Sequence, residues 1–247
     1  MKKTLLILMS SLLCLGFYGC SSDDDDAQKI ELNSTNISMT HDQNFQLQYK
    51  SEEGNIFTFK SSNPLVADVN GSGLITGIAK GETIITVKDN KGGEATCKVN
   101  VHTIYSLFKE PSFDFGCSIS AIKSYESRTI LSENTTSIIY RGENANLTLL
   151  AYDFENSKYL GSMLLVPIEC TQIVDFLVER YVPVDVTNGS YTFIDPTKKI
   201  IVGLEYSNDY DSWVIVYCGN TTSTKNNNIN IKNIKDIISK SNVVLSK

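Results

Sequence analysis

Apolar and polar positions alternate along much of the chain between residues 29 and 101. From Asn44 to Lys50, Phe45, Leu47 and Tyr49 fall on one face, and Asn44, Gln46, Gln48 and Lys50 fall on the other. This is the period of two that a half-buried strand requires. The alternation returns at Ile56 to Lys60, and again at Glu94 to Val101, where Ala95, Cys97, Val99 and Val101 share a face. Cys97 is therefore expected to be a core residue. Turn residues separate these short runs, and the spacing predicts an all-β sandwich.

Past His102 the pattern changes to mixed periods. Ser118 to Glu126 places Ile119, Ile122 and Tyr125 at helical spacing, with Ser118 as N-cap behind Gly116. Strand-like runs follow at 136–142, 147–155 and 160–168. A second helix is predicted with Thr171 as its cap, a stripe of Ile173, Phe176, Leu177 and Tyr181, and Pro183 as its stop. Three more strands are predicted at 189–195, 200–207 and 212–219. Helix then three strands, given twice, predicts an α+β domain of two α-β-β-β units, with one antiparallel sheet and helices on one face.

The first region also carries a family likeness. The run Phe57-Thr58-Phe59-Lys60-Ser61-Ser62-Asn63-Pro64-Leu65-Val66-Ala67-Asp68-Val69, then Gly73-Leu74-Ile75-Thr76-Gly77-Ile78-Ala79-Lys80-Gly81-Glu82-Thr83-Ile84-Ile85-Thr86-Val87, resembles the bacterial Ig-like group 2 domain. Phe59 stands where that family usually has tryptophan. Ser62-Asn63-Pro64 is expected to bend the chain between strands, and Gly73 and Gly77 to sit where backbone is crowded or φ is positive. The resemblance implies a spacer or adhesive unit of bacterial surface proteins and brings no catalytic residues. The second region resembles, in architecture alone, the tandem repeat of the β-lactamase inhibitory proteins.

The N-terminus sets an expectation about location. Lys2 and Lys3 precede an uncharged apolar run, residues 4–17, that is shorter than the roughly 20 residues a membrane-spanning helix needs. Phe17-Tyr18-Gly19-Cys20 resembles a lipobox, which implies lipidation at Cys20 and a membrane held through that lipid. Asp23, Asp24, Asp25 and Asp26 repel one another and predict a solvated tether. They also resemble the acidic export signal of surface lipoproteins of the Bacteroides type. The expected location is the outer membrane, exposed on the cell surface. The layout is a lipoprotein signal peptide over 1–19, an acidic tether over 20–28, the Ig-like domain over 29–101, the α+β domain over 105–220 and a polar tail over 221–247. Ile231, Ile234 and Ile238 could line a marginal helix in that tail, which is read here as a solvated end.

Composition narrows the classes of partner. A net charge of -6 and a pI near 5.0 argue against nucleic acid, which needs clustered Lys and Arg against phosphates. No metal or cofactor is expected, since the cysteines lack C-x2-4-C spacing and no phosphate-cradling glycine loop exists. His41 and His102 are not expected beside a serine or cysteine they could activate, so no catalytic residue is nominated and the chain is expected not to be an enzyme. Tyr206, Tyr210 and Trp213 flank a turn, Ser207 to Ser212, that also holds Asp209 and Asp211. These aromatics are the candidate ligand-binding residues, for a glycan or for a host or bacterial surface protein. The alternative is that Tyr206 and Trp213 point into the core. At the level of function the expectation is a non-catalytic binding or adhesion protein, against the alternatives of an inhibitor-like partner-binding domain and an accessory glycan-processing enzyme. A disulfide, if one forms, is expected to join two of Cys117, Cys170 and Cys218.

Overall fold

The structure is a computed structural model, and it describes residues 30–50, 54–187 and 189–220. The signal segment, Cys20, the acidic run Asp23 to Asp26 and the polar tail lie outside the described residues.

The first domain is a sandwich of two sheets. Asn36–Thr40 (β1), Phe57–Ser61 (β3), Gly81–Asp89 (β6) and Glu94–His102 (β7) form one sheet in the order β1-β7-β6-β3. The facing sheet takes Asn44–Gln46 (β2), Ala67–Val69 (β4) and Leu74–Gly77 (β5) in the order β2-β5-β4. Strand β1 runs parallel to β7, and the other pairings are antiparallel. Inward residues meet as the alternation requires: Leu47, Ile75, Ile85, Cys97, Val99 and Val101 are buried in one core, with Phe45, Tyr49, Phe57 and Phe59 packed against it. Burial pushes the Cys97 thiol up to about 11, which suits a small core hydrophobe rather than a nucleophile. Gly73 has φ +81, and a Cβ there would meet Leu47 O at 3.0 Å and the Phe59 ring at 3.2 Å. At Gly77 a Cβ would lie 2.4 Å from Thr40 O. Only glycine lets β5 pass so close to its neighbours.

The second domain is dominated by strand. Ile119–Tyr125 (α1) is followed by Ile130–Glu133 (β8), Ser137–Arg141 (β9), Leu149–Glu155 (β10) and Lys158–Pro167 (β11). Ile173–Val178 (α2) is followed by Val182–Thr187 (β12), Ser190–Ile194 (β13), Ile200–Ser207 (β14) and Ser212–Gly219 (β15). The expected α-β-β-β unit is thus corrected to one helix and four strands, and the helices are only 7 and 6 residues long. Both missed strands sit at the sheet's edges. All four residues of β8 are exposed, so it carries no one-sided alternation, whereas β12 does alternate in sequence, Val182, Val184 and Val186 against Pro183, Asp185 and Thr187, but reads as the end of a helix because of Pro183. Pro183, expected to stop the second helix, instead lies inside edge strand β12 beside a register shift, where its missing N–H costs nothing.

All eight strands form one sheet in the order β12-β13-β14-β15-β11-β10-β9-β8. Each unit is an antiparallel meander, and the final strands of the two units, β11 and β15, pair antiparallel at the centre. Residue Leu164 faces Ile215 there, so the two halves are arranged as a local two-fold would arrange them. One sheet face carries the larger core, where Tyr152, Leu164, Val202, Ile215 and Tyr217 meet Ile122 of α1 and Ile173, Phe176 and Leu177 of α2. The stretch from Tyr105 to Cys117 also packs on that face through Leu107, Phe108 and Phe115. The opposite face holds a second apolar cluster of Leu149, Ala151, Met163, Leu165, Ile201, Val214, Val216 and Cys218.

Helix ends differ between the units. Ser118 caps α1, its side chain accepting the Ala121 N–H at 3.3 Å, as expected. Thr171 does not cap α2: the N-cap is Gln172, with no side-chain bond. Thr171 is taken up in the turn before it, its N–H donating to Glu169 O.

Candidate functional site

Strands β14 and β15 are joined by a four-residue loop, Asn208 to Asp211, with Ser207 and Ser212 paired across its base. Tyr206 and Trp213 are register partners one step inside. Their rings stand 5.7 Å apart at 76°, an edge-on packing that aromatic quadrupoles favour. The Tyr206 hydroxyl donates to the Asp211 carboxylate, and this bond raises its pKa. The Ser212 hydroxyl donates to Tyr210 O at 3.1 Å. The loop is therefore braced from within.

A pocket of about 380 Å³ opens beside this loop, lined by Glu205, Tyr206, Ser207, Asn208, Asp209, Tyr210, Met163 and Val214. Of the three aromatics nominated from sequence, Tyr206 and Tyr210 line it. Trp213 is half-buried and packs against the larger core, whereas Tyr210 packs against the cluster on the opposite face. The sheet divides the trio, because alternation sends residue 213 to one side and the loop carries Tyr210 round to the other. Glu205 and Asp209 put two exposed carboxylates on the pocket rim. The Tyr210 ring, the carboxylates and an amide around one concavity can meet apolar C–H surface while accepting hydroxyl hydrogen bonds. A larger depression of about 640 Å³ lies on the first domain, over the outward faces of β6 and β7. An ion pair between Lys98 and Glu82 at 2.8 Å sits in it, and no aromatic lines it.

Two buried carboxylate clusters were not foreseen, because the groups that complete each adjacent Glu–Arg pair are far apart in sequence. Glu126 ends α1 and its carboxylate is fully buried; it accepts from Arg128 at 2.6 Å and from the Tyr152 hydroxyl at 2.5 Å. Arg128 also donates to Glu143 at 2.6 Å, and its side chain is 3% exposed. Burial pushes the Glu143 carboxyl up, but its bonds from Arg128 and the Lys109 N–H outweigh this and hold it below the usual range. Glu179 ends α2 in the same way. Its carboxylate accepts the N–H groups of Ile104 and Tyr105 at 2.7 and 2.9 Å and pairs with Arg180 at 2.6 Å. The Glu179 carbonyl accepts the Lys80 N–H of the first domain at 2.8 Å, and Asn63 donates across the same junction to Pro196 O at 3.1 Å.

The remaining nominated groups sit as follows. His41 contacts Ile78 O through Nδ1 at 2.5 Å. His102 Nδ1 lies 3.2 Å from Ser38 Oγ, which corrects the expectation that neither histidine stands near a serine. The parallel pairing of β1 and β7 brings these residues together across 64 positions, and the bond is exposed. Among the described residues no carboxylate is bonded to the His102 ring, so the pair lacks an orienting third group. The four described cysteines are free. Cys218 faces the opposite side of the sheet from Cys117 and Cys170, so a bridge from it to either would have to cross the sheet. Of the expected pairs, only Cys117 with Cys170 keeps both thiols on one face.

Comparison with known proteins identifies the first domain. Residues 26–99 match the model of the bacterial Ig-like domain (group 2). A domain of this kind fits a protein that works in binding or adhesion at the cell surface. Among solved structures, the surface layer protein SbsC, domains 1–6, is 16% identical with a TM-score of 0.27, covering 71% of this chain and 22% of that one. The Bacteroides ovatus mixed-linkage glucan utilization locus protein SGBP-B, in complex with a mixed-linkage heptasaccharide, is 14% identical with a TM-score of 0.28, covering 78% and 44%. Cadherin domains 1–4 of protocadherin gamma B7 are 10% identical, also at 0.28, covering 77% and 49%. The chain thus spans from about a fifth to about half of the length of these structures. At such scores the likeness carries no functional information. No curated protein matches the chain.

Proposed function

We propose that this protein is a non-catalytic, glycan-binding lipoprotein of the cell surface, anchored through Cys20 in the outer membrane, with the Ig-like domain as spacer and the second domain as the binding module. The observation that carries the reading is the pocket at the β14–β15 loop, where Tyr206 and Tyr210 stand with Glu205, Asn208 and Asp209 around about 380 Å³. That volume, with the Tyr210 ring beside carboxylates, suits a sugar unit, whose C–H surface stacks on tyrosine and whose hydroxyls donate to carboxylates. An acidic rim disfavours anionic ligands, which agrees with the net charge of -6.

The test uses the chain with Cys20→Ser, which removes the lipid site, on a glycan array followed by calorimetry. A neutral oligosaccharide should bind, and Tyr210→Ala should weaken it by at least tenfold, while Ser38→Ala, in the first domain, should not. Release of reducing sugar from any bound polysaccharide would overturn the non-catalytic reading. Mass spectrometry of the mature N-terminus tests the anchor: a diacylglyceryl mass on Cys20 is expected, and an unlipidated terminus elsewhere would refute it.

A further inference from the structure

We propose that the Ig-like domain has a load-bearing function: β1 and β7, the strands by which the chain enters and leaves it, form a clamp that resists in shear a pull applied to the two ends of the chain. The use of such a clamp rests on the reading above, in which the N-terminal side is held at a membrane and the second domain holds a ligand. The resistance itself belongs to the ladder.

Direction carries the argument. Strands β1 and β7 pair in parallel through five register partners, from Asn36 with Lys98 to Thr40 with His102. Chain arriving from the N-terminal side meets the ladder at its Asn36–Lys98 end, and chain leaving for the second domain departs from the opposite, His102 end. Pulling the two apart drags the strands along each other's axes, so the evenly spaced bonds between them are loaded together. Antiparallel entry and exit strands would be opened from one end, a bond at a time.

The residues fix the phase of those bonds. Lys98 N–H donates to Thr35 O at 2.9 Å, and in a parallel ladder this aims the N–H groups of Ile37 and Met39 at β7 and those of Asn36, Ser38 and Thr40 outwards. Two of the outward groups are taken up locally, Asn36 N–H by Ser34 Oγ at 3.3 Å and Thr40 N–H by Gln43 Oε1 at 3.0 Å. Ile37, Met39, Val99 and Val101 are buried in the core, so sliding the strands also draws apolar side chains towards water. On the outer face Ser38 Oγ lies 3.2 Å from His102 Nδ1, a further tie across the same pair of strands.

The ladder is fastened at both ends. Before β1, Asn33 N–H donates to Gln48 O at 2.9 Å and Lys50 N–H donates to Glu31 O at 3.0 Å, next to the antiparallel bridge of Leu32 with Tyr49. The entering chain is thus bonded first to the segment after β2 and then to β7. After β7, the Glu179 carboxylate accepts the Ile104 and Tyr105 N–H groups, and Tyr105 O accepts from Arg180 at 2.7 Å. Only Thr103 separates β7 from these bonds, so a pull on the second domain reaches β7 with little slack. Resistance to force follows the unfolding barrier along the pulled direction rather than the equilibrium stability, which makes direction the variable to test.

Single-molecule force spectroscopy compares two directions on one molecule, the full chain with Cys20→Ser and an azide-bearing amino acid in place of Asp42. Asp42 is exposed and lies two residues past Thr40, at the Thr40–His102 end of the ladder. Held by its two ends, the chain loads the ladder in shear; held by residue 42 and the C-terminal end, it opens the same ladder from the Thr40–His102 pair. In the first direction the Ig-like event is recognised by a gain of about 240 Å in contour length as Asn36 to His102 straighten. That event is expected to need at least twice the force of the second direction. Equal forces, or a larger force in the second direction, would overturn the clamp. Both directions use one molecule, so a change in its stability cancels; if the residue at 42 prevents folding, exposed Asn44 carries the handle instead. Neither lipid nor ligand takes part, so a failed clamp leaves the anchor and glycan readings standing, and their failure leaves the clamp standing.

Discussion

The two halves of the second domain end their helices with the same device and use it for different purposes. In both, the residue that closes the helix is a buried glutamate paired with an arginine one or two positions on: Glu126 with Arg128, and Glu179 with Arg180. In the first half the carboxylate turns inward, to the Tyr152 hydroxyl, and its arginine reaches Glu143 and Lys109 O. In the second half the carboxylate holds the N–H groups of Ile104 and Tyr105, just past the end of β7, while the same residue's carbonyl holds Lys80 of the Ig-like domain. One copy locks a unit to itself, and the other locks the unit to the domain before it. A duplicated local solution becomes an internal brace or an inter-domain joint according to what the topology brings within about 3 Å.

Removing each glutamate should separate the two roles. Glu126→Ala leaves Arg128 buried with half its compensation and Tyr152 without its acceptor, and it is expected to destabilise the second domain by about 3–5 kcal/mol. Urea unfolding followed at near-ultraviolet wavelengths should show a lower midpoint in a single transition, and an unchanged midpoint would break the assignment. Glu179→Ala should cost less, about 1–3 kcal/mol, because the freed N–H groups at the junction can reach water. Its signature is qualitative: the Ile104 and Tyr105 N–H groups lose their acceptor while the main-chain bond from Lys80 to residue 179 and the Asn63 bond remain, so calorimetry should show the Ig-like and sheet transitions drawing apart without separating fully. An unchanged single transition would mean that the Glu179 carboxylate does not contribute to the joint.

Two carboxylates of the first half should respond to acid in opposite ways. The folded Glu143 carboxyl sits below its unfolded value, so the native state binds fewer protons there. Its stabilisation is present above the unfolded carboxylate range and is lost as pH falls through the folded pKa. Arg128→Met removes the partner and should flatten this acid-side loss, as measured by melting temperature against pH. Asp153 has the opposite sign. Its folded pKa is raised by burial, so the ionised form is disfavoured in the native state, and stability declines as pH rises through that pKa. Asp153→Asn should therefore raise the melting temperature slightly at neutral pH and make no difference in acid.

Much of this protein was legible in one dimension. Of the positions read from alternation in the Ig-like domain, Leu47, Cys97, Val99 and Val101 are buried in its core and Phe45, Tyr49 and Ala95 pack against it half-buried, because a strand's side chains obey a local period of two whatever the strand pairs with. The stripe of Ile173, Phe176 and Leu177 was legible from the helical period, whereas Tyr181, read as its last member, is buried but lies past the end of α2 at Val178. Strands β8 and β12 were not: β8 is exposed on both faces and carries no hydrophobic period, and the valine alternation of β12 is masked by Pro183, which reads as a helix stop until the sheet's rim is known. The candidate site was half legible: Tyr206 and Tyr210 could be nominated from an aromatic-rich turn, but which side of the sheet each would occupy could not. Tertiary structure alone decided that the last strands of two units pair at the centre of one sheet. It alone brought Ser38 to His102, and Glu179 to Ile104, Tyr105 and Lys80. These contacts join residues up to 99 positions apart, from Lys80 to Glu179. Local period sets which way a side chain points; only closure of the long loops between elements sets what it meets.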